Sequence, residues 1–307
     1  MVENNLGGSA FLHIFIPAFG SSPYLNKALD SIIQIEEMVE VLVTVVDDAS
    51  TTSEIRDIVD RFSSYGIVYV RNEENLGLSA NFEKCMNLSV GRFTLIMGSD
   101  DKVLPNAVEE IRKLDLNFPG HDFIQLKTRV IDKNGKPSSS SVDKIKQLIT
   151  PSAARAGSIN EGRLLSSLMV GDWAYFPAIA WRTSIRENLH WNSNYKNAID
   201  LSLLARVASE GGSMGITKNF GFEYRRHSAS ISSQLANTTI RVSEELDVHY
   251  WVKENYQGRY RNQVRILATL AITIRLHALQ SAILNFYGNP KGALKIAKIA
   301  LSKLKSL

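Results

Sequence analysis

The sequence predicts an α/β fold: a mostly parallel central sheet flanked by helices, followed by a mainly helical C-terminal extension. Three observations predict it. Over residues 11–114, short apolar runs alternate with segments whose apolar residues recur at helical spacing, in the order β-α-β-α-β-α-β-α. The apolar runs are nearly continuous, as in strands covered on both faces. From about residue 235 onward the pattern is mostly helical.

The elements follow in order. Residues 11–17 read as a buried strand ending at Pro17. Ser22 then reads as a helix N-cap with Pro23 at the first helical position, and Leu25, Ala28, Leu29, Ile32 and Ile33 keep helical spacing. Residues 39–46 form a Val-rich second strand that ends at Asp47-Asp48. Residues 53–63 are helical in pattern, with Ile55, Ile58, Val59 and Phe62 on one face. A third strand, 67–70, ends at Arg71-Asn72. A helix over 79–88 carries Phe82, Cys85, Met86 and Leu88 as its apolar stripe. A fourth strand, 93–97, ends in "GSDD", and a helix over 105–114 follows. Residues 123–130 read as a strand and the polar, serine-rich 133–150 as a mobile loop. A helical run spans 200–209.

Composition bounds the function. The chain has 307 residues, 44% hydrophobic and 21% charged, enough for a sizeable core and typical of a folded protein. One cysteine, Cys85, rules out an internal disulfide and suits a reducing compartment. No signal peptide and no apolar window of spanning length are evident, so the expected location is cytoplasmic, or peripheral at the inner face of a membrane. Net charge is +4, but residues 241–307 carry +7 and residues 1–240 carry −3. The main body therefore lacks the clustered basic face that nucleic-acid binding needs.

Parallel sheets of this kind place ligands at the carboxyl ends of their strands. Pro17, Asp47, Asp48, Arg71, Asn72, Asp100 and Asp101 all follow strand ends, so they are expected around one crevice. The glycine-rich dinucleotide fingerprint and the phosphate loop are both absent. Carboxylates do not bind phosphate directly, but they can hold a divalent metal that does. Asp100-Asp101 reads as such a metal and ribose site; capping of the following helix accounts for an Asp there equally well.

The stretches "IFIPAFGSSPYLNKALDSI", "VVDDAS" and "RNEENLGLSANFEKCMNLSVGRFTLIMGSDDKVLP", in this order, resemble the family 2 glycosyltransferases of bacterial type, which have the Rossmann-like GT-A fold. The resemblance implies a GT-A domain over 1–234, with a nucleotide-binding half at 10–115 and an acceptor-side half at 116–234, and a helical extension over 235–307. It implies a donor nucleotide site of Pro17, Ala18, Phe19, Asp47, Asp48, Asn72, Gly77, Asn81, Ser99, Asp100, Arg225 and Arg226. In it Asp48 contacts the base, Asp100 the ribose, and Asp101 the metal, Mn²⁺ or Mg²⁺. Gly98 stands where many members carry a further aspartate.

The segment "NAIDLSLLARVASEGGSMGITKNFGFEYRRHSASISS" is similar to the family's acceptor-side helix and the motif after it. Asp200 matches the family's catalytic carboxylate; a helix N-cap is the alternative reading. His227 is placed near the diphosphate as a metal ligand or leaving-group stabiliser, or as a structural histidine. Asp172 and Trp173 are the acceptor candidates, with core packing as the alternative for the tryptophan.

Over residues 289–307, Lys291, Lys295, Lys298 and Lys305 edge a face of Leu294, Ala297, Leu301 and Leu304. Such a helix either lies on an anionic membrane or docks on the domain with a solvated lysine edge.

The implied activity is inverting transfer of a sugar from a nucleotide-diphosphate donor to a saccharide or lipid-linked acceptor, in surface polysaccharide or glycolipid synthesis. Two rivals are a sugar-nucleotide nucleotidyltransferase and a non-catalytic nucleotide-binding module. The first lacks the basic glycine-rich loop that would activate a triphosphate: "PAFGSSPYLNK" has one glycine and no basic residue before Lys27.

Overall fold

The computed structural model describes residues 10–192, 194–228, 230 and 238–302. Ser232, at the end of the motif after the acceptor-side helix, and Leu304 and Lys305 of the C-terminal helix lie outside the described residues.

The first half follows the expected alternation: β1 (Leu12–Ala18), α1 (Leu25–Ile32), β2 (Val41–Asp47), α2 (Glu54–Asp60), β3 (Val68–Arg71), α3 (Leu78–Leu88), β4 (Phe93–Ile96). Next come the short β5 (Lys102–Val103), then α4 (Ala107–Asn117) and β6 (Phe123–Ile131). The second half adds α5 (Ser141–Ile149), α6 (Ser152–Arg155), β7 (Ile159–Asn160), α7 (Glu161–Val170), β8 (Ile179–Arg182), α8 (Ile199–Ser209) and β9 (Ser213–Arg225). Four helices follow: α9 (Thr239–Asn255), α10 (Arg261–Leu270), α11 (Ile272–Asn285) and α12 (Pro290–Leu301).

The strands form one nine-stranded mixed sheet, ordered β3-β2-β1-β4-β8-β6-β9-β5, with β7 also on β9. β3, β2, β1 and β4 run parallel. β8 is antiparallel to both β4 and β6, so β6 and β9 share the direction of the first four. Ala18 pairs with Asp47, and Asp47 with Arg71. That level register brings the ends of β1, β2 and β3 to one edge of the sheet.

Continuous apolar strands work because both faces are covered. In β1, Leu12, Ile14 and Ile16 pack under α1, α2 and α4, while Phe15 faces the opposite layer with Cys85, Met86 and the side chains of α7 and α8. Cys85 is fully buried, and burial pushes its thiol far up, as expected for a structural cysteine.

Four expectations change. The α1 N-cap is Tyr24, not Ser22, and Pro23 precedes the helix rather than starting it. The segment read as a loop holds α5, started by a capping box between Ser140 and Asp143. The 235–307 extension is not uniform: Val248, Val252, Tyr256, Val264 and Ala268 of α9 and α10 join the main core, while α11 and α12 pack with Val242 and Leu246 in a separate cluster. Finally, Arg261–Asn285 does reach spanning length and composition, with mean hydropathy 1.5. It is broken at Ala271, whose φ of 43° is left-handed, and a third of the apolar window is buried in the protein.

Candidate active site

On the donor side, the two aspartates after β2 do different work. Asp47 is fully buried, accepting from Ser50 through Oδ1 and from Tyr69 (2.6 Å) and Arg71 (2.8 Å) through Oδ2. Burial pushes its carboxyl up, but these donors outweigh it and hold it below the usual range. Asp48 accepts from the Asn72 side chain at 2.7 Å and from the backbone N–H groups of Leu76 and Gly77, both at 2.9 Å. Those bonds fold residues 73–77 back over the strand end. Asn72 also donates to Asn81 at 3.0 Å, and its own Oδ1 is buried with no partner among the described residues. The Asp48 N–H donates to the Ala18 carbonyl, next to the exposed Phe19.

After β4 the chain turns at Gly98. Asp101 is 1% exposed; its Oδ1 accepts the Arg225 N–H at 2.8 Å, and its Oδ2 has no partner among the described residues. Burial, then the neighbouring Asp100 charge, push the Asp101 carboxyl well above the usual range. Asp100 is more open, and its Oδ2 lies 2.7 Å from Nε2 of His227. A Cβ on Gly98 would sit 2.5 Å from Asp100 Oδ1 and 2.9 Å from Asp101 Oδ2. The free oxygens of the two carboxylates therefore converge beside Gly98, and the missing side chain is what leaves room for them.

β9 delivers this arrangement. β5 pairs with β9 so that Lys102 faces Glu223, which sets Arg225 and His227 against the acidic pair. The Arg225 guanidinium is buried and donates to the carbonyls of Asp100 (2.7 Å), Asp132 (3.1 Å) and Lys133 (3.4 Å), lying over the Tyr24 ring. That ring also packs against His227.

A second cluster, which holds the residues expected on the acceptor side, is built from α5, α7, α8 and α9. Asp200 sits in the first turn of α8, half-buried. The α8 N-terminus is capped from elsewhere: Glu244 of α9 accepts from the backbone N–H groups of Lys196, Asn197 and Ala198 at 2.8–3.1 Å. Asp200 Oδ1 accepts the Leu201 N–H at 2.8 Å, and among the described residues its other oxygen has no hydrogen bond within the first turn. Burial and then the charge of Asp172 push its carboxyl up to about 7, against the pull of Lys146. Lys146 of α5 reaches Asp172 at 3.1 Å and the Ala174 carbonyl. Glu245, raised by burial, pairs with Arg241 at 2.8 Å. Arg226, next to Arg225, grips the buried Asp143 of α5 with both its Nε and Nη2.

With this geometry in place, comparison with known proteins becomes decisive. Residues 13–154 match the family described as Glycosyl transferase family 2. That stretch is similar to family 2 glycosyltransferases and covers a little under half of the chain. It is similar to the chondroitin synthase of Escherichia coli, 24% identical over 209 residues, covering 67% of this chain and 27% of that protein. The chain spans between 27% and 37% of the length of the first three curated relatives. The fold is that of GT-A glycosyltransferases. S. aureus TarS 1-349 in complex with UDP-GlcNAc superposes with a TM-score of 0.57 at 16% identity, over 94% of this chain and 90% of that one. The mannosyltransferase PcManGT from Pyrobaculum calidifontis, in complex with GDP-Man and Mn²⁺, gives 0.62 at 12% identity, over 96% and 85%.

Of the expected donor residues, Pro17, Ala18, Phe19, Asp48, Asn72, Ser99 and Asp100 lie at or just after strand ends, and Gly77 and Asn81 at the start of α3 are joined to them through Asp48 and Asn72. Asp47 is there too, but its four hydrogen bonds make it a strut of the site rather than a ligand contact. Arg225 and Arg226 are corrections. Arg225 is 1% exposed and its guanidinium is bound to carbonyls, so it is not available to a diphosphate, and Arg226 commits its Nε and Nη2 to Asp143. His227 does reach the acidic pair, with Nε2 engaged by Asp100. Asp101 does not cap a helix; its side chain turns back to Arg225. Asp200 is not an N-cap, since that position is Ala198. Trp173 is also a correction: it is 1% exposed, its Nε1 donates to Ser167, and it has no face to stack on a sugar. Asp172 is paired with Lys146, and its charge acts on Asp200.

Tyr24, Lys146, Arg241, Glu244 and Glu245 were not expected from the sequence. The Ser-x-x-Asp spacing at Ser140 and Asp143, followed by apolar residues at helical spacing, marks the start of α5 and hence Lys146. Nothing local marks Glu244, whose role depends on a contact 46–48 residues away.

Proposed function

We propose that this chain is an inverting glycosyltransferase that moves a sugar from a nucleotide-diphosphate donor to a hydroxyl group of a saccharide or lipid-linked acceptor. The observation that carries the reading is the Asp101 oxygen, buried without a partner among the described residues, after β4, and aimed beside the open carboxylate of Asp100. A buried acceptor-only group of this kind is costly unless a cation completes it. The residues fit a divalent metal ligated by Asp101 with Asp100 beside it, and no cluster of three His, Cys, Asp or Glu side chains exists among the described residues. Remaining ligands then come from the diphosphate and water. The metal, when bound, would neutralise the charge developing on the leaving diphosphate.

The chain's own residues supply the rest. The loop held by Asp48 and Asn72, with Pro17 and Phe19, holds the nucleoside. Arg225 fixes Asp101, and His227 orients Asp100. Asp200, ionised above about pH 7, takes the proton from the acceptor hydroxyl during a single in-line displacement. Burial sets that basicity first, with Asp172 adding to it and Lys146 opposing it. Similarity to a chondroitin synthase supports a saccharide acceptor in surface polysaccharide or glycolipid synthesis.

The test pairs binding with turnover. Nucleoside diphosphates should raise the melting temperature only with Mn²⁺ or Mg²⁺, and Asp101→Asn should abolish that shift. Asp200→Asn should keep the shift and lose transfer. Metal-independent stabilisation that survives Asp101→Asn would remove the metal from this reading, and transfer by Asp200→Asn would remove the base.

A further inference from the structure

We infer that the exposed apolar faces of α5 and α11 meet at Gly171 to form one surface that seats the protein on an anionic lipid bilayer, beside the acceptor mouth.

The face on α5 is inverted relative to an ordinary surface helix. Asp143 is its only buried residue. The docked side is polar, through Asp143 to Arg226 and Tyr175 and through Lys146 to Asp172, until Ile149 at its end packs on the core. Val142, Ile145 and Leu148, at i, i+3 and i+6, turn to solvent, Leu148 being 82% exposed. The face on α11 runs through Ile272, Leu276 and Ile283, 51–73% exposed, and continues into Phe286 and Tyr287. The opposite side of α11 is filled by Ile274, Ala278 and Ala282. Neither apolar stripe has a partner element among the described residues that covers it.

The two faces join. A Cβ on Gly171 would lie 2.7 Å from Ile149 Cδ1, at the end of α5, and 2.9 Å from Thr273 Oγ1, at the start of α11. Thr273 also donates to the carbonyl of Val170, itself exposed. The next residue is Asp172. The apolar surface therefore borders the acids of the acceptor side, and calling that side the acceptor mouth rests on the proposed function above.

Charge selects the occupant. Residues 241–307 carry +7, and Lys291, Lys295 and Lys298 are exposed on α12, which packs on α11. Lys144 is exposed on α5. An anionic bilayer takes both features, with aliphatic side chains at the acyl boundary and lysines among the headgroups. A second copy would bring lysine edges of one sign together.

Vesicle flotation of the full chain tests this. The protein should float with phosphatidylcholine vesicles containing phosphatidylglycerol, float poorly with phosphatidylcholine alone, and lose binding as salt rises. Leu148→Asp and Leu276→Asp should each weaken binding about tenfold, with unchanged circular dichroism and melting temperature, because both side chains are already in solvent. Combined Lys291→Ala, Lys295→Ala and Lys298→Ala should act only on the anionic vesicles. The inference fails if the wild type does not float or if the aspartate variants float equally well. It also fails if ultracentrifugation finds a dimer that Leu276→Asp dissociates, since the surface is then a contact between copies. Binding is read without turnover, so loss of the glycosyltransferase assignment would leave this result standing.

Discussion

The backbone N–H of Arg225 donates to one oxygen of Asp101 at 2.8 Å, and the other oxygen of that carboxylate is buried with no partner among the described residues. One half of the side chain is pinned by the end of β9, so the other half is aimed. The Arg225 guanidinium completes the clamp by binding the Asp100 carbonyl. The last turn of β9 thus acts as the second wall of the acidic pair.

Gly98 is the test of that aim. Its Cβ position lies 2.5 Å from Asp100 Oδ1 and 2.9 Å from Asp101 Oδ2. Asp100 can swing away, but Asp101 is enclosed. Gly98→Ala should therefore cost about 1–3 kcal/mol as overpacking. It should also remove most of the metal-dependent thermal shift with a nucleoside diphosphate. Isothermal titration with and without Mn²⁺ checks this; an unchanged metal-dependent affinity would show that the two oxygens do not act together.

α5 is tethered chiefly by a charge pair, with Ile149 at its end packed on the main core. Asp143 is fully buried against Arg226, and those hydrogen bonds outweigh burial and hold its carboxyl below the usual 3.8. A carboxyl depressed on folding contributes stability above its unfolded pKa and loses it as pH falls through the folded one. The tether should therefore hold at neutral pH and release only below about pH 4. Asp143→Asn should raise amide exchange over residues 141–149 by roughly tenfold to a hundredfold, leaving β1–β4 protected. Uniform exchange changes across the chain would contradict a local tether.

Legibility in the sequence divides along these same lines. β1 to β4 were readable because strands buried on both faces leave continuous apolar runs with charged punctuation at their ends, as at Asp47-Asp48 and Asp100-Asp101. β6 carries Lys127 and Arg129 on an exposed stretch, and β8 has only four residues, so neither signals its place in the sheet. α5 does not show as an amphipathic helix in the sequence because the side it docks carries Asp143 and Lys146, the reverse of the usual pattern. Arg225 was placed at the diphosphate because a sequence shows a cation but not the carbonyls around it. The motif residues located the site; the partners that set their roles come from distant segments.

Glu244 shows this most directly. Its carboxylate accepts from three successive N–H groups at the start of α8, two residues before Asp200. Glu244→Gln offers those groups a single oxygen and loses the charge at the positive end of the helix. The expected cost is about 1–2 kcal/mol, or roughly 2–6 °C in melting temperature. kcat should fall while nucleotide affinity holds, because the first turn of α8 carries Asp200 and no donor contact. A fall in nucleotide affinity with kcat unchanged would place the helix on the wrong side of the reaction.

The strongest functional test is the pH dependence of turnover. Asp200 is raised to about 7, by burial first and by the charge of Asp172 second, with Lys146 opposing. A general base must be ionised, so kcat should rise with pH through about 7 and then level off. The two neighbours move that limb in opposite directions. Asp172→Asn removes a like charge and should shift the limb to lower pH, whereas Lys146→Met removes the compensating cation and should shift it higher. Asp200→Asn should lower kcat by about 10²–10⁴-fold at every pH. Stability supplies an independent sign. The unfolded carboxyl ionises near 3.8 and the folded one near 7, so wild-type stability from this group declines as pH rises between those values. Asn cannot ionise, and Asp200→Asn should therefore be more stable than wild type at pH 8, by about 1–3 kcal/mol. A variant that is inactive and less stable at pH 8 would mark Asp200 as structural. One that is inactive and more stable behaves as expected of a base whose raised pKa costs stability in its ionised form.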